Sequence, residues 1–342
     1  MKKSINIKKT FGITVLSGLL LTALVVTGCG GSAEDTSGLE SGNGSAKSAE
    51  SADASADVRI SDASGDTAGD TGNAREETAD AAYDLTKGIV YTTTVIPDVQ
   101  SISSEKQSWG NGPDRDELNR PVSALTFNEK YADYNVDVIE ETEEKVVFLT
   151  FDEGYENGYT DEILDTLNEK GWSGIFFCTM DYVTKNPELV QRMIDEGHIV
   201  GNHTVHHPAD GMDSLSVSEQ QEEVMGLHEY VKENFDYDMF LFRYPSGEFS
   251  EQSLAVINNC GYKSVFWSFA YVDWLTDEQP DESESLTKLT DSLHPGAIYL
   301  LHAVSSTNAH ILGQFIDNAT AQGYTSGDYG QIVLDEINLR KR

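Results

Sequence analysis

The chain has 342 residues, of which 58 are Asp or Glu, 23 are Lys or Arg and three are Cys. The formal net charge of −35 argues against a nucleic-acid partner and against electrostatic attachment to anionic lipid. Three cysteines provide no disulfide framework, so the folded part must be stabilised by its own apolar core.

The first 29 residues are predicted to be a secretory signal rather than part of the fold. Four lysines precede an apolar segment at 11–26, and the segment ends in Val26-Thr27-Gly28-Cys29. This ending resembles the lipobox of bacterial lipoproteins, in which the cysteine is lipidated and becomes the first mature residue. An uncleaved membrane anchor is the alternative, although the apolar run is short for a span. In either case we expect the body of the protein to lie outside the cytoplasm, tethered to a membrane. The lipobox predicts that this tether is a lipid anchor on Cys29 at the outer face of the cell membrane.

Residues 30–82 consist mainly of Ser, Ala, Gly, Asp and Glu, with almost no large apolar side chains. Such a segment cannot bury enough surface to offset its ordering entropy, so we expect a disordered acidic tether. Residues 83–143 are predicted to be an N-terminal extension that packs on the main domain, which occupies 144–342.

Apolar strand-like runs and helix-like segments alternate after residue 144. The runs lie at 146–151, 174–179, 199–202, 239–243, 264–268 and 297–301, and the helical segments at 159–170, 187–196, 218–235, 250–259 and 308–322. Continuous apolar strands that alternate with helices indicate an α/β fold with a parallel sheet covered by helices. We expect a closed or nearly closed (β/α) barrel, with an open doubly wound sheet as the alternative.

Polar residues stand where these strands end. Asp152 and Glu153 follow the first strand, and the later strand ends carry His203, Arg243, Asp273 and His302. Because active sites of β/α barrels gather at the carboxyl ends of the strands, this placement predicts a catalytic site. For Asp152 and Glu153 alone, a polar turn after a buried strand is the alternative.

Three histidines within five residues suggest a metal site. His203 and His207 are four residues apart, and either Glu153 or Asp152 would complete a set of two histidines and one carboxylate. His206 could replace one of the two histidines. Such a site would hold a divalent metal, with zinc as the expected ion, and would lower the pKa of a water molecule bound to it toward ~7.

Hydrolysis also requires groups that move protons. Two adjacent carboxylates can divide the work, because neighbours at a strand end point in different directions. Arg243 could orient a carboxylate, and His302 suits a general acid whose tautomer Asp273 could fix. Trp267 and Trp274 could form an apolar wall for a sugar ring, or belong to the core.

Five ordered segments resemble the motifs of the polysaccharide deacetylases of carbohydrate esterase family 4, the NodB-homology domain. They read TFDEG, HTVHHP, RYPSG, VDW and LLH, and the resemblance covers about residues 144–339. The family has a distorted (β/α) barrel and removes N- or O-acetyl groups from sugars with a divalent metal. The resemblance therefore implies a hydrolase with that fold and that cofactor.

The resemblance also assigns roles to individual residues. Asp152 would be the base, oriented by Arg243, and His302 the acid, supported by Asp273. The metal ligands would be Glu153, His203 and His207. The substrate would contact Tyr244, Pro245, Ser246, Gly247 and Trp274, and a backbone N–H near Ser246 would help the metal bind the oxyanion.

Two positions depart from the usual family motifs. Glu153 replaces the second aspartate of the first motif, and Ala270 stands where the fourth motif has its first aspartate. At these two positions the chain resembles the subgroup of deacetylases that acts on N-acetylmuramic acid during δ-lactam formation in the spore cortex. We therefore expect a monomeric peptidoglycan de-N-acetylase acting on N-acetylmuramic acid. The alternatives are the same chemistry on N-acetylglucosamine of peptidoglycan, on chitin-like glycans or on acetylated xylan, and a non-catalytic wall-binding lipoprotein.

Overall fold

The computed structural model describes residues 84–341. The predicted signal peptide with Cys29 and the predicted tether lie outside the described residues. Within 84–341, no helix has both the length and the apolarity needed to cross a bilayer.

The described chain alternates strands and helices as the sequence indicates. The strands are β1 Gln107–Ser108, β2 Val136–Asp137, β3 Val146–Glu153, β4 Gly174–Cys178, β5 Ile199–Asn202, β6 Leu241–Phe242, β7 Glu248–Phe249, β8 Lys263–Val265, β9 Phe269–Ala270, β10 Ala297–His302 and β11 Thr325–Ser326. The helices are α1 Val122–Tyr131, α2 Thr160–Lys170, α3 Met180–Lys185, α4 Pro187–Asp195, α5 Val217–Phe235, α6 Glu251–Asn259, α7 Glu282–Asp291, α8 Ser306–Ala321 and α9 Tyr329–Arg340.

The main sheet is parallel throughout its described pairings. Its strand order is β2-β8-β6-β5-β4-β3-β10-β9, and β11 pairs with the first residues of β3. The sheet curls with helices packed on it but leaves β2 and β9 as separate edges among the described strands. This architecture confirms the predicted α/β class and the distorted (β/α) barrel.

Local sequence signals explain where several helices begin and end. The Ser216 side chain accepts from the backbone N–H of Glu219, and the Glu219 side chain accepts from the backbone N–H of Ser216. These two hydrogen bonds form a capping box at the start of α5. Pro187 occupies the first turn of α4, where its missing N–H costs nothing. Gly171 ends α2 at φ 65°, a left-handed conformation that favours glycine.

Apolar residues on the strands alternate between two cores. Val147, Leu149 and Phe151 of β3 belong to the larger core, between the sheet and the surrounding helices. Phe148 belongs to a smaller core that also contains Tyr329 of α9. Because both faces of the sheet are covered, the strands read as continuous apolar runs.

The segment before β3 packs along the barrel. Its strand β1 pairs antiparallel with β7, and the N–H of Ile89 donates to the carbonyl of Asp238 at 3.0 Å. The two cysteines of the described chain are free: Cys178 is buried and Cys260 is half-buried.

Candidate active site

Asp152 lies near the carboxyl end of β3, and its carboxylate faces two basic side chains. Oδ1 accepts from Arg243 Nη1 at 2.9 Å, and Oδ2 lies 3.6 Å from His203 Nε2. Burial works to raise the pKa of Asp152, but the charges of Arg243, His203 and His302 outweigh it and the pKa is lowered. Asp152 is therefore ionised at neutral pH, as a general base must be.

Arg243 holds Asp152 from a fully buried position. Its Nη1 also donates to Thr150 Oγ1 at 2.6 Å, while Nε and Nη2 donate to the carbonyls of Val265 and Phe266 at 3.0 and 2.9 Å. These bonds fix the guanidinium plane, so the charge beside Asp152 cannot turn away.

A second polar group surrounds His302, the last residue of β10. His302 Nδ1 lies 2.7 Å from Asp273 Oδ1, and Asp273 Oδ2 accepts from the backbone N–H of His302 at 2.9 Å and from Asn308 Nδ2 at 2.6 Å. Since a carboxylate only accepts, His302 carries its proton on Nδ1 when neutral and on both nitrogens when charged. Burial works to lower the pKa of His302, but the hydrogen bond to Asp273 and its charge prevail and raise the pKa.

The sheet brings these two groups together. His302 and Asp152 are direct partners in the pairing of β10 with β3, so their side chains leave the same face of neighbouring strands. Both line a cavity of about 910 Å³. This is a size that accommodates a small ligand such as a sugar unit.

Aromatic and backbone groups form much of the cavity wall. Tyr244, Ser246, Gly247, Trp267 and Trp274 are among the lining residues, whereas Pro245 is buried in the same turn without lining the cavity. Trp274 is 46% exposed, and its ring centre lies 5.6 Å from that of His302. An apolar ring beside the proposed acid provides a surface on which a sugar ring can stack.

The histidines after β5 lie on a turn, not on a helix. Thr204 and His207 have positive φ values of 74° and 48°, and the rings of His203 and His207 are 4.9 Å apart. His203 Nδ1 lies 2.9 Å from the carbonyl of Arg243, which leaves Nε2 facing Asp152. His206 lies instead at the surface, with Nδ1 2.6 Å from Glu223 Oε1.

Glu153 occupies a different environment from its neighbour. As successive strand residues, Asp152 and Glu153 point to opposite faces of the sheet. The Glu153 side chain is fully buried, and neither carboxylate oxygen has a hydrogen-bond partner in the described chain. Burial, assisted by the charges of Glu156 and Asp152, raises the pKa of Glu153 well above its usual value. Metal binding requires an ionised carboxylate, which this environment disfavours.

The expected metal ligands do not converge in this geometry. Between residues 84 and 341 there is no group of three His, Cys, Asp or Glu side chains arranged to hold an ion. The set of Glu153, His203 and His207 therefore does not fit a zinc ion in the described conformation, because the carboxylate lies on the other face of the strand. Ligation by these residues stays a prediction.

Two residues of the site were missed by the sequence analysis. Thr150 accepts from Arg243, and Asn308 donates to Asp273 Oδ2 and to the carbonyl of His302 at 3.1 Å. Nothing in the sequence marks Asn308, since it resembles any polar residue in the first turn of a helix. Thr150 was detectable in principle, because it lies two residues before Asp152 and so shares its face of β3.

Comparison with known proteins identifies relatives over most of the described chain. The polysaccharide deacetylase family profile matches residues 139–265. The peptidoglycan-N-acetylmuramic acid deacetylase PdaA of Bacillus subtilis is 39% identical over 240 residues, which are 69% of this chain and 89% of PdaA. The peptidoglycan-N-acetylglucosamine deacetylase PgdA of Listeria monocytogenes is 27% identical over 222 residues, 64% of this chain and 46% of PgdA.

Solved structures give the same result. The structure of B. subtilis PdaA, a family 4 carbohydrate esterase, matches with a TM-score of 0.63 and 36% identity, covering 70% of this chain and 100% of PdaA. A family 4 carbohydrate esterase from Bacillus anthracis matches with a TM-score of 0.55 and 33% identity, covering 66% of this chain and 95% of the esterase. From the extent of these matches, the chain belongs to the polysaccharide deacetylase family, the family 4 carbohydrate esterases.

Proposed function

We propose that the protein hydrolyses the N-acetyl groups of peptidoglycan amino sugars, and that its target sugar is N-acetylmuramic acid. The observation that carries this proposal is the pairing of Asp152 with Arg243 directly opposite the pairing of His302 with Asp273, at one end of the cavity. The similarity to a relative named for its action on N-acetylmuramic acid supports the choice of sugar.

In the first step, Asp152 takes a proton from a water molecule in the cavity. The water oxygen bonds to the acetyl carbonyl carbon, and the carbonyl electron pair moves onto its oxygen to give a tetrahedral oxyanion. Arg243 keeps Asp152 ionised and fixes its direction through the 2.9 Å contact. A backbone N–H of the turn at Ser246 would donate to the oxyanion.

In the second step, the intermediate breaks down as His302 gives up a proton. Nε2–H of the charged imidazole donates to the amide nitrogen, the C–N bond breaks, and acetate leaves a free amine on the sugar. Asp273 accepts from Nδ1–H throughout, so the orientation of the ring and the position of its transferable proton are both fixed. The first proton transfer therefore uses Asp152 of the Asp152–Arg243 pair, and the second uses His302 of the His302–Asp273 pair.

Dependence on a divalent cation, zinc first, remains a prediction from the resemblance. Glu153, His203 and His207 do not converge in the described chain, so no proton transfer is assigned to a bound ion. Acetate release after dialysis against a chelator, with and without added zinc, tests this dependence directly.

One observation favours a second substrate, N-acetylglucosamine. Among the described residues that line the cavity there is no Lys or Arg, while Asp152 and Asp181 are both present. The lactyl carboxylate of free muramic acid would therefore find no Lys or Arg among these residues. A neutral sugar avoids this desolvation cost.

The test measures acetate released by the purified body of the protein, residues 83–342, with divalent metal added. Glycan strands without stem peptides, intact peptidoglycan and chitin oligomers are compared, and mass spectrometry locates the lost acetyl group. Loss of acetyl from muramic acid supports N-acetylmuramic acid as the substrate, and loss of acetyl only from glucosamine supports N-acetylglucosamine. No acetate from any glycan, together with no bound metal, would favour a non-catalytic wall-binding protein.

We also propose that the protein acts outside the cytoplasm as a lipid-anchored monomer. The support for the anchor is the Val26-Thr27-Gly28-Cys29 segment at the end of the apolar run at 11–26. Labelled fatty acid should be incorporated into the wild type and not into Cys29→Ser. Equal labelling of the two would contradict the anchor.

A further inference from the structure

Trp109 lies in the N-terminal extension, yet it contacts two walls of the active-site cavity. Its backbone N–H donates to the carbonyl of Gly247 at 2.9 Å, and its indole Nε1–H donates to the carbonyl of Trp267 at 2.8 Å. Gly247 and Trp267 both line the cavity. One residue from outside the barrel, through its backbone and its side chain, therefore joins two separate segments of the cavity wall.

The first of these segments has a backbone that depends on its surroundings. Ser246 has φ 56° and Gly247 has φ 66°, two consecutive residues in left-handed conformations. A non-glycine residue in this region is strained, so the turn persists only where neighbouring contacts determine it. The hydrogen bond from Trp109 to the Gly247 carbonyl is one such contact.

The second segment is packed tightly against the first. A Cβ added at Gly247 would lie 2.6 Å from the ring of Trp267, which fills the space that a side chain would need. The turn and the ring therefore move together, because neither has free volume on the side that faces the other.

Trp109 is itself held in place by the extension. It directly follows β1, which pairs with β7, and its ring packs edge-on against Phe127 with ring centres 4.6 Å apart. Two residues later, Asn111 Nδ2 donates to the carbonyl of Ser268 at 2.5 Å. The extension thus carries Trp109 as a fixed support.

We propose that Trp109 is a positioning residue that fixes the cavity wall formed by the turn at 244–247 and by Trp267, and so sets the fit of the sugar. The inference rests on the proposed deacetylase function and deepens it. The proton-transferring groups have other supports, because the Arg243 guanidinium is held by Thr150 and by the carbonyls of Val265 and Phe266. Loss of the indole hydrogen bond should therefore weaken substrate binding more than it slows the chemical step.

The test compares wild type, Trp109→Phe and Trp172→Phe on a soluble glycan oligomer. Phenylalanine keeps an aromatic ring against Phe127 but cannot donate to Trp267. Trp172 is a matched control, since it is a buried tryptophan between α2 and β4 that does not line the active-site cavity. We expect Trp109→Phe to raise KM about fivefold to tenfold with kcat within twofold and an unchanged pH profile, and Trp172→Phe to change neither constant. A fall in kcat with KM unchanged, or identical kinetics for the two variants, would overturn the proposal.

A second measurement is independent of turnover. Hydrogen exchange, followed by mass spectrometry, should accelerate in peptides that cover 244–249 and 266–270 in Trp109→Phe but not in Trp172→Phe. Equal exchange in the two variants would refute the positioning role even if the wild type released no acetate. Accelerated exchange in Trp109→Phe, together with a wild type that releases no acetate, would instead place the failure in the proposed function.

Discussion

Replacing Asp273 with Asn tests the proposed acid most directly. The Asp273 carboxylate accepts from His302 Nδ1, from the His302 backbone N–H and from Asn308 Nδ2, all within 2.9 Å. Asparagine has one accepting oxygen and one donating NH₂ group, so at least one of these three donors must face another donor. The substitution preserves size but removes the charge that orients the imidazole.

The expected loss is large because general acid catalysis is at stake. Loss of a positioned acid costs about 10²–10⁴ in rate, equivalent to about 2.7–5.4 kcal/mol of activation free energy.

The pH profile should change as well. Asp273 raises the pKa of His302 against the opposing effect of burial. An acid must be protonated to act, so activity falls as pH rises through that pKa. Without the Asp273 charge, the alkaline limb of the profile should move to lower pH.

The assay is acetate release between pH 5 and pH 10 for wild type, Asp273→Asn and Asp277→Asn. Asp277 is an exposed residue on the same loop, and its substitution should leave rate and profile unchanged. Circular dichroism at each pH ensures that only folded protein is compared. If Asp273→Asn kept the alkaline limb of the wild type, His302 would not be the acid that Asp273 supports.

Three further predictions concern the other acidic residues. Asp152→Asn should reduce turnover by about 10²–10⁴ while thermal unfolding shows the fold intact, and near-normal rates would remove Asp152 as the base. Glu153→Gln, which cannot ionise, should leave the zinc content of protein purified without chelator unchanged, because the described conformation buries Glu153 on the face of β3 opposite Asp152 and disfavours its ionised form, and a lower zinc content would identify Glu153 as a ligand. Burial, followed by the charge of Asp137, raises the pKa of Glu140 from its ordinary 4.5 to about 7. The stability it contributes is thus complete below pH 4.5 and is lost as pH rises through about 7. Urea unfolding should show a smaller loss of stability between pH 5 and pH 8 for Glu140→Gln than for wild type, and equal losses would contradict the shift.

The strands with continuous apolar sequence were predictable, whereas their interruptions were not. The run at 146–151 became β3, because nothing interrupts its ladder before Glu153. The run at 264–268 became β8, which ends at Val265, followed by an irregular stretch before β9. In that stretch the carbonyls of Phe266 and Trp267 accept from side chains of Arg243 and Trp109. Partners 23 and 158 residues away in sequence leave no local signal.

The candidate site shows the same division. Strand-end position was sufficient to select Asp152, Arg243 and His302, because parallel strands bring their carboxyl ends to one edge. Side-chain direction decided the rest. Because side chains alternate along a strand, Asp152 turns toward Arg243 and Glu153 turns to the opposite face of the sheet. Motif spacing does not distinguish the two faces.

The pairing of His302 with Asp152 in the β10–β3 register has a consequence for heat inactivation. Their separation is fixed by the inter-strand spacing of about 4.8 Å, which loops do not control. Loops that surround the cavity can loosen on warming without altering this spacing, whereas loss of the ladder requires the central strands to separate. The relative placement of Asp152 and His302 should therefore be a property of the cooperative folding unit and persist until global melting, whereas the support that the loop residue Asp273 gives to His302 can be lost at a lower temperature.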